Sequence, residues 1–348
     1  MDKTILGLWT QTLAVGLLVT GVVCGQDLQP KVILANLDRP CGVAIHPDSG
    51  ELYVSEGGAG RIIRVVDNED ESAEQSVVAE GFGQAGVGLA ESLTLGPCGL
   101  LFLNKSNLLI AANGSDANQR GLLIATLTDQ SDQIFNAADL PRLALPQDST
   151  GALYSLASSG PIVFASMVGA QGADQILASA IRDGSNLNKA ESFEPLKSVV
   201  SISVPPDRHS PTAITVSPRG ELVTAVSEGV ESGAQSQLAF FRVSDNTILT
   251  RLNVELTNIV ALAYGVPQDR AKVRALYALD YGEREAGQGG LFRLDAVFQG
   301  NRLGVKAVRI SALERPTAMA VGKRGIIYVT LQGSDGKTGK LVGFTDGL

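Results

Sequence analysis

Two cysteines of this chain stand in the same tripeptide frame, Pro40-Cys41-Gly42 and Pro97-Cys98-Gly99, 57 residues apart. A thiol pair repeated in one frame can close into a disulfide, pack as two buried small hydrophobes, or ligate a soft metal. A metal needs further ligands that the surrounding sequence does not supply, so Cys41 and Cys98 stand first as disulfide candidates and second as paired free thiols. A bridge across that separation would stabilise by roughly 4 kcal/mol in the chain-entropy picture. Three arginines form a second constellation: Arg39 and Arg315 each precede a proline, and Arg208 lies in Pro-Pro-Asp-Arg-His-Ser-Pro. Guanidinium groups gathered at one place hold a carboxylate or phosphate through bidentate bonds. Each of the three also follows an acid (Asp38, Asp207, Glu314), so weak local pairing is the competing reading.

The sequence holds only two histidines. His46 lies in His-Pro-Asp-Ser-Gly, and His209 lies beside Arg208. General-base work needs a second oriented group, and none is visible beside either, so no catalytic residue is assigned. Acids are plentiful in the polar segments. Glu56, Asp116, Asp174, Glu228, Glu231, Glu283, Glu285 and Asp335 are opposed there by Arg120, Arg284 and Lys337. With Asn113 and Asp280 nearby, such a rim suits a cation, Ca²⁺ included, or a basic partner, while the plainer reading is a solvated loop set. No other cofactor and no metal ligand set is assigned.

The elements that must carry these residues repeat. Six apolar triplets recur: Leu52-Tyr53-Val54, Leu108-Leu109-Ile110, Val163-Phe164-Ala165, Leu222-Val223-Thr224, Leu276-Tyr277-Ala278 and Ile327-Tyr328-Val329. Their centres are spaced by 56, 55, 59, 54 and 51 residues, the period of propeller blades built from several short strands. About eight residues before each triplet sits a strand of small and apolar residues, such as the one from Gly42 or Ala318, which suits the crowding of innermost strands round an axis. The spacing therefore predicts an all-β, six-bladed β-propeller with four strands per blade. Lys31 to Leu37 reads as a fourth strand without a blade of its own, and the chain ends after a third strand near Phe344. Pairing the two closes the ring and removes an open edge.

In that plan the loops leading into innermost strands share a face with the loops joining second to third strands. The sequence reading places the functional channel mouth there, with Arg39, Arg208, His209, Asn258 and Arg315 as ligand candidates. Glu56, Asn113, Asp116, Glu228, Asp280 and Asp335 are the rim candidates. His46 falls on the opposite face.

Residues 1–25 read as an export signal: Lys3, an apolar run from Thr12 to Val23, and small residues at Val23 and Gly25 that place cleavage before Gln26. Lipidation of Cys24 and an uncleaved anchor are the alternatives, the first opposed by Val23 where a lipobox prefers a smaller residue. Residues 26–348 are expected to form one domain, exported to periplasm, medium or cell surface, with no further membrane segment. The formal charge of −8 disfavours nucleic acid. The single tryptophan lies inside the signal, which leaves a poor stacking platform for sugars or bases.

The stretch from Pro40 to Val66 (PCGVAIHPDSGELYVSEGGAGRIIRVV) resembles a blade of the NHL, gluconolactonase-like and glucose-sorbosone-dehydrogenase-like group of six-bladed propellers. Arg315 to Thr330 is similar to a lesser degree. Gluconolactonase-like members hold a divalent metal with Glu, Asn and Asp placed just before innermost strands. Of the comparable positions here only the nearby Asn258 is of ligand type. The quinone-dependent dehydrogenases use a histidine in a His-x-Gly-Gly-type stretch, which neither His46 nor His209 has. The resemblance thus implies the fold more than an activity. The leading expectation is a non-catalytic exported propeller that binds a protein or small ligand on its loop-rich face. The alternative is a lactonase-like or sugar-dehydrogenase-like enzyme working at the central channel. A structural repeat in a surface layer is a third class, and oligomeric state is not legible.

Overall fold

The six apolar triplets all fold as second strands, and their continuous apolar character has one cause: each is buried on both faces, between its own neighbours in the ring. In the computed structural model, residues 27–68, 72–86, 94–128, 133–147, 149, 151–169, 173–203, 212–226, 236–267, 273–282, 289–300, 302–333 and 337–345 are described. The chain begins with β1 (Lys31–Leu37). Blade 1 follows as β2 (Pro40–Ile45), β3 (Leu52–Glu56), β4 (Arg61–Val66) and β5 (Glu74–Glu80). A short hairpin, β6 (Ala85–Gly86) and β7 (Thr94–Leu95), leads to blade 2. That blade holds β8 (Leu100–Phe102), β9 (Asn107–Ala112), β10 (Gly121–Thr126) and β12 (Arg142–Leu143), while β11 (Phe135–Asn136), which precedes β12 in the chain, joins the sheet of blade 1. Blade 3 is β13 (Ala152–Ser159), β14 (Ile162–Val168), β15 (Ala173–Ala180) and β16 (Lys197–Ser203). Blade 4 is β17 (Ile214–Val216), β18 (Leu222–Val226), β19 (Ser236–Arg242) and β20 (Thr247–Val254). Blade 5 is β21 (Ile259–Tyr264), β22 (Leu276–Asp280), β23 (Gly290–Gln299) and β24 (Arg302–Ala312). Blade 6 is β25 (Pro316–Val321), β26 (Ile327–Leu331) and β27 (Gly339–Phe344).

The sheet order β1-β27-β26-β25 makes the first strand the outer strand of the last blade. Lys31 lies opposite Gly343 and Leu37 opposite Gly339, so the ring is closed by antiparallel hydrogen bonds between the two ends of the chain. Asp27 and Leu28 run along blade 5 before that strand begins, with the Leu28 N–H donating to the Ile310 carbonyl at 2.9 Å.

The core is divided into seams between blades rather than gathered in one place. In blade 2, Leu108 and Ile110 turn toward blade 1 while Leu109 turns toward blade 3. The period-two alternation of a strand thereby feeds two cores at once, which is why these strands read as unbroken apolar runs. Blade 2 departs from the regular plan. Pro141 and Pro146 bracket its outer strand and hold it to Arg142–Leu143, since proline cannot donate to the ladder. The preceding β11 instead pairs parallel to β5 and covers the edge of blade 1.

Glycine is required where innermost strands nearly touch. A Cβ on Gly42 would lie 2.0 Å from the Cys98 carbonyl oxygen, and one on Gly99 would lie 2.4 Å from the Tyr154 carbonyl oxygen. The two Pro-Cys-Gly frames therefore do the same work at successive seams.

Candidate functional site

Each innermost strand runs from the loop face, where the chain comes in from the preceding blade, to the turn face, where it doubles back into the second strand. Burial falls along all six in that direction: β2 is buried until its last residue, β21 until its last two, and β25 only at its first two. Between them runs a cavity of about 480 Å³, walled by Cys41–Ile45, Gly99–Phe102, Tyr154–Ser158, Ile214–Val216, Val260–Ala263 and Thr317–Val321. Pro47, in a first-to-second-strand turn, completes the wall. The central channel is therefore open on the turn face.

At the loop face it is shut. Tyr154 of blade 3 reaches across the axis and donates its phenolic hydrogen to the Thr317 carbonyl of blade 6, the opposite blade, at 2.6 Å. The ring is only 5% exposed and packs with Cys41, Cys98, Val260 and Tyr281 in one cluster spanning the axis. Burial first, and the neighbouring Cys98, Cys41 and Tyr281 after it, push the Tyr154 phenol well above its ordinary range, so it stays a hydrogen donor. Thr317 adds a seam contact, its hydroxyl donating to the Pro40 carbonyl at 2.7 Å. Tyr281 donates to Gln332 Oε1 at 2.8 Å and links blades 5 and 6 at the same level.

The rim residues expected on the loop face turn inward. Glu56 is 1% exposed, with one carboxylate oxygen accepting from the Asp38 N–H at 2.8 Å and the other from Arg61 Nε at 2.5 Å. Asn113 joins blades 2 and 3, donating to the Gly96 and Leu153 carbonyls and accepting from the Leu153 N–H. Asp280 accepts from the N–H groups of Thr257, Asn258 and Gly282; burial raises its carboxyl above the usual range, and those three hydrogen bonds oppose the shift. Asp174 accepts from the Gly169 N–H and the Thr212 hydroxyl. These side chains satisfy buried backbone groups of the loops that feed innermost strands, a structural duty rather than a ligand-facing one. Asp116 alone of the described rim candidates is exposed, accepting from the Asn118 N–H. Glu228, Glu231, Glu283, Glu285 and Asp335 lie outside the described residues, as do Arg208 and His209.

Arg39 and Arg315 do occupy equivalent places in adjacent blades. Both have left-handed backbones, with φ of 47° and 48°, and their carbonyls accept from the Gly57 and Gln332 N–H groups respectively. The Asn258 carbonyl makes the matching bond to the Tyr281 N–H. No ion pair joins Arg39 to Asp38; the ion pair at this seam is Arg61 to Glu56. Arg39, Asn258 and Arg315 lie outside the channel wall, whose open end is on the turn face.

His46 lies on the turn face, as expected, and therefore near the opening. Its Nδ1 accepts from the Ser49 N–H at 3.0 Å, which leaves Nε2 as the donor to the Lys105 carbonyl at 2.6 Å. Both ring nitrogens are thus engaged in holding turns. Beside it a groove of about 700 Å³ runs outward along the seam of blades 1 and 6 and shares Ile45, Pro47 and Val321 with the channel wall. Its outer end holds the Lys31–Asp67 ion pair at 3.2 Å, and Lys323 and Arg324 stand exposed on its blade 6 side.

Cys41 and Cys98 meet at the closed end, their sulfurs 2.7 Å apart as free thiols. The Cys41 thiol donates to the Pro97 carbonyl at 3.1 Å, and the Ser55 hydroxyl donates to the Cys98 carbonyl at 2.9 Å. Full burial, with Cys41 beside it, pushes the Cys98 thiol well above its ordinary range.

The described channel wall offers hydroxyls, a thiol and backbone groups, with no carboxylate and no imidazole. Among the described residues no three His, Cys, Asp or Glu side chains gather where they could hold a metal. That wall does not fit the oxygen-ligand shell of a divalent cation or the histidine of a quinone site. Sequence reasoning missed Tyr154, Thr317, Tyr281 and Gln332. The available signal was a bulky tyrosine near the start of an innermost strand whose counterparts round the ring are the smaller Cys41, Cys98, Thr212, Val260 and Thr317.

No family model matches the sequence, and no curated protein sequence matches it either. Solved structures do. An oxidoreductase (glucose dehydrogenase) of Thermus thermophilus has 16% identity and a TM-score of 0.56, over 91% of this chain and 99% of that one. Regucalcin of Agrobacterium tumefaciens, a calcium-binding protein, has 13% identity and a TM-score of 0.59, over 91% and 93%. A luciferin-regenerating enzyme has 10% identity and a TM-score of 0.55, over 91% and 96%. At such identities the likeness is one of fold, six-bladed propeller to six-bladed propeller. Among the described residues no helix is long and apolar enough to cross a membrane.

Proposed function

We propose that this chain is an exported small-molecule propeller whose site is the central channel, reached from the turn face. The observation that carries this reading is the cavity of about 480 Å³ along all six innermost strands, closed at one end by Tyr154 and open at the other. A blind-ended cavity whose wall is about equally polar and apolar, with backbone groups and a few hydroxyls, suits a small amphipathic ligand better than a protein surface. The body of the ligand lies against Val43, Leu101, Val216, Leu262 and Met319, and its polar end faces Ser155, Thr215 or the groove beside Lys323. A carboxylate there gains from Lys323 and Arg324.

This shifts weight from a protein-binding rim toward the small-molecule reading, and the similar folds named for a glucose dehydrogenase and a luciferin-regenerating enzyme lend it support. Export rests on the N-terminal signal pattern read above.

The test is a thermal-shift and calorimetric screen against sugars, sugar lactones and small amphipathic carboxylates, repeated with Val321→Trp at the junction of channel and groove. Ligands that bind the native chain and not the folded variant support the site. Equal binding by both places the ligand on the loop face and overturns the reading. Nuclear magnetic resonance of the bound ligand over hours then separates an enzyme from a binding module.

A further inference from the structure

We infer that Cys41 and Cys98 close to a disulfide when the chain folds in the presence of a disulfide oxidant, stapling blades 1 and 2 at the closed end of the channel. The two sulfurs already touch, and no rearrangement of the seam is needed to bring them together. The backbone around them is fixed on three sides. Gly42 is pressed against the Cys98 carbonyl so closely that no side chain fits there. Ser55 holds that same carbonyl, and the Pro97 carbonyl orients the Cys41 thiol. Pairs of thiols held this way in one rigid seam have little freedom to lose on bonding, which favours the bridge over glutathione adducts on either sulfur.

The two thiols are unequal. Cys41 lines the channel and is 8% exposed, whereas Cys98 is wholly buried. Cys41 is therefore the sulfur that meets the oxidant. Its thiolate attacks one sulfur of the oxidant disulfide, forming a mixed disulfide and releasing the first thiol. Cys98, deprotonated, then attacks the Cys41 sulfur; the Cys41–Cys98 bond forms, and the second oxidant thiol leaves. Two electrons and two protons pass from the cysteine pair to the oxidant. The loop so closed contains the whole of blade 1, so the staple acts chiefly on the unfolded chain and on the seam that walls the closed end. This inference is independent of the ligand reading and of export, because the oxidant is supplied in the experiment.

The reduced, denatured chain is refolded in a buffer of reduced and oxidised glutathione, alkylated under denaturing conditions and digested with trypsin. Arg39 precedes a proline and resists cleavage, so Cys41 falls in the peptide 32–61 and Cys98 in 65–105. The expected result is a linked pair of these two peptides, lighter by two hydrogens than their sum and separated by reductant. Reduction is expected to lower the Tm by about 5–10 °C. Separately alkylated peptides, glutathione adducts without a link, or a cross-link to Cys24 would each overturn the inference.

Discussion

Replacing Tyr154 tests the assignment of the closed and open ends of the channel. The phenolic hydroxyl donates to the Thr317 carbonyl at 2.6 Å, and the ring is buried in a cluster at the closed end of the channel. Tyr154→Phe keeps the ring and removes that bond, leaving a buried carbonyl with a lost donor, at a cost of about 1–2 kcal/mol. For a chain of this size that corresponds to a fall in Tm of about 1.5–3 °C. Tyr154→Ala also removes a nearly buried ring and leaves a hole on the axis, which raises the cost to about 3–5 kcal/mol. Urea unfolding followed by circular dichroism measures both, since Trp9 is the only tryptophan. The difference between Tyr154→Phe and the native chain should stay constant from pH 6 to 9. A phenol whose folded pKa is raised contributes stability that is intact below its unfolded value near 10 and is lost only as pH climbs through the higher folded value. The double variant Val321→Trp with Tyr154→Ala should regain ligand access from the loop face. A Tyr154→Phe variant within about 0.3 kcal/mol of native would refute the bridge across the axis.

Three further outcomes are expected. Gly42→Ala forces a methyl to within 2.0 Å of the Cys98 carbonyl oxygen and should cost about 3 kcal/mol or more, read as lost soluble yield or a collapsed Tm, while Gly184→Ala, with open space around it, serves as the neutral control. Arg39→Gly and Arg315→Gly relieve left-handed backbones and should each raise stability by up to about 1 kcal/mol in urea unfolding; a clear loss would mean that the guanidinium groups hold the seam. Burial, with Glu221 nearby, raises the Tyr264 phenol to about 12, so its share of stability is complete below pH 10 and fades as pH rises toward 12. Tyr264→Phe should therefore flatten the alkaline limb of the stability profile, and an unchanged limb counts against that assignment.

Much of the architecture was legible because its determinants are local or strictly periodic. The apolar triplets, the glycines of the Pro-Cys-Gly frames and the orphan strand Lys31–Leu37 each report a requirement that the chain meets within a few residues or once per blade. Blade 2 escaped this reading because its outer strand is held to two residues between two prolines, and the strand before it pairs with blade 1. The site was legible only in part. Cys41 and Cys98 were singled out by their shared frame and do meet. Glu56, Asn113 and Asp280 have the composition of a polar rim, yet each is turned inward by backbone N–H and carbonyl groups that only the folded loops bring together.

The sequence by itself determined the number of blades, their order and the way the ring closes, because each follows from a recurring apolar pattern and a repeated length of chain. Only the tertiary structure decided which end of the channel is open. That depends on whether one side chain can span the axis, and the bond that does so joins Tyr154 and Thr317, 163 residues apart. No local pattern encodes such a reach, since it is set by the diameter of the finished ring and by the register at which six separate strands arrive at its centre.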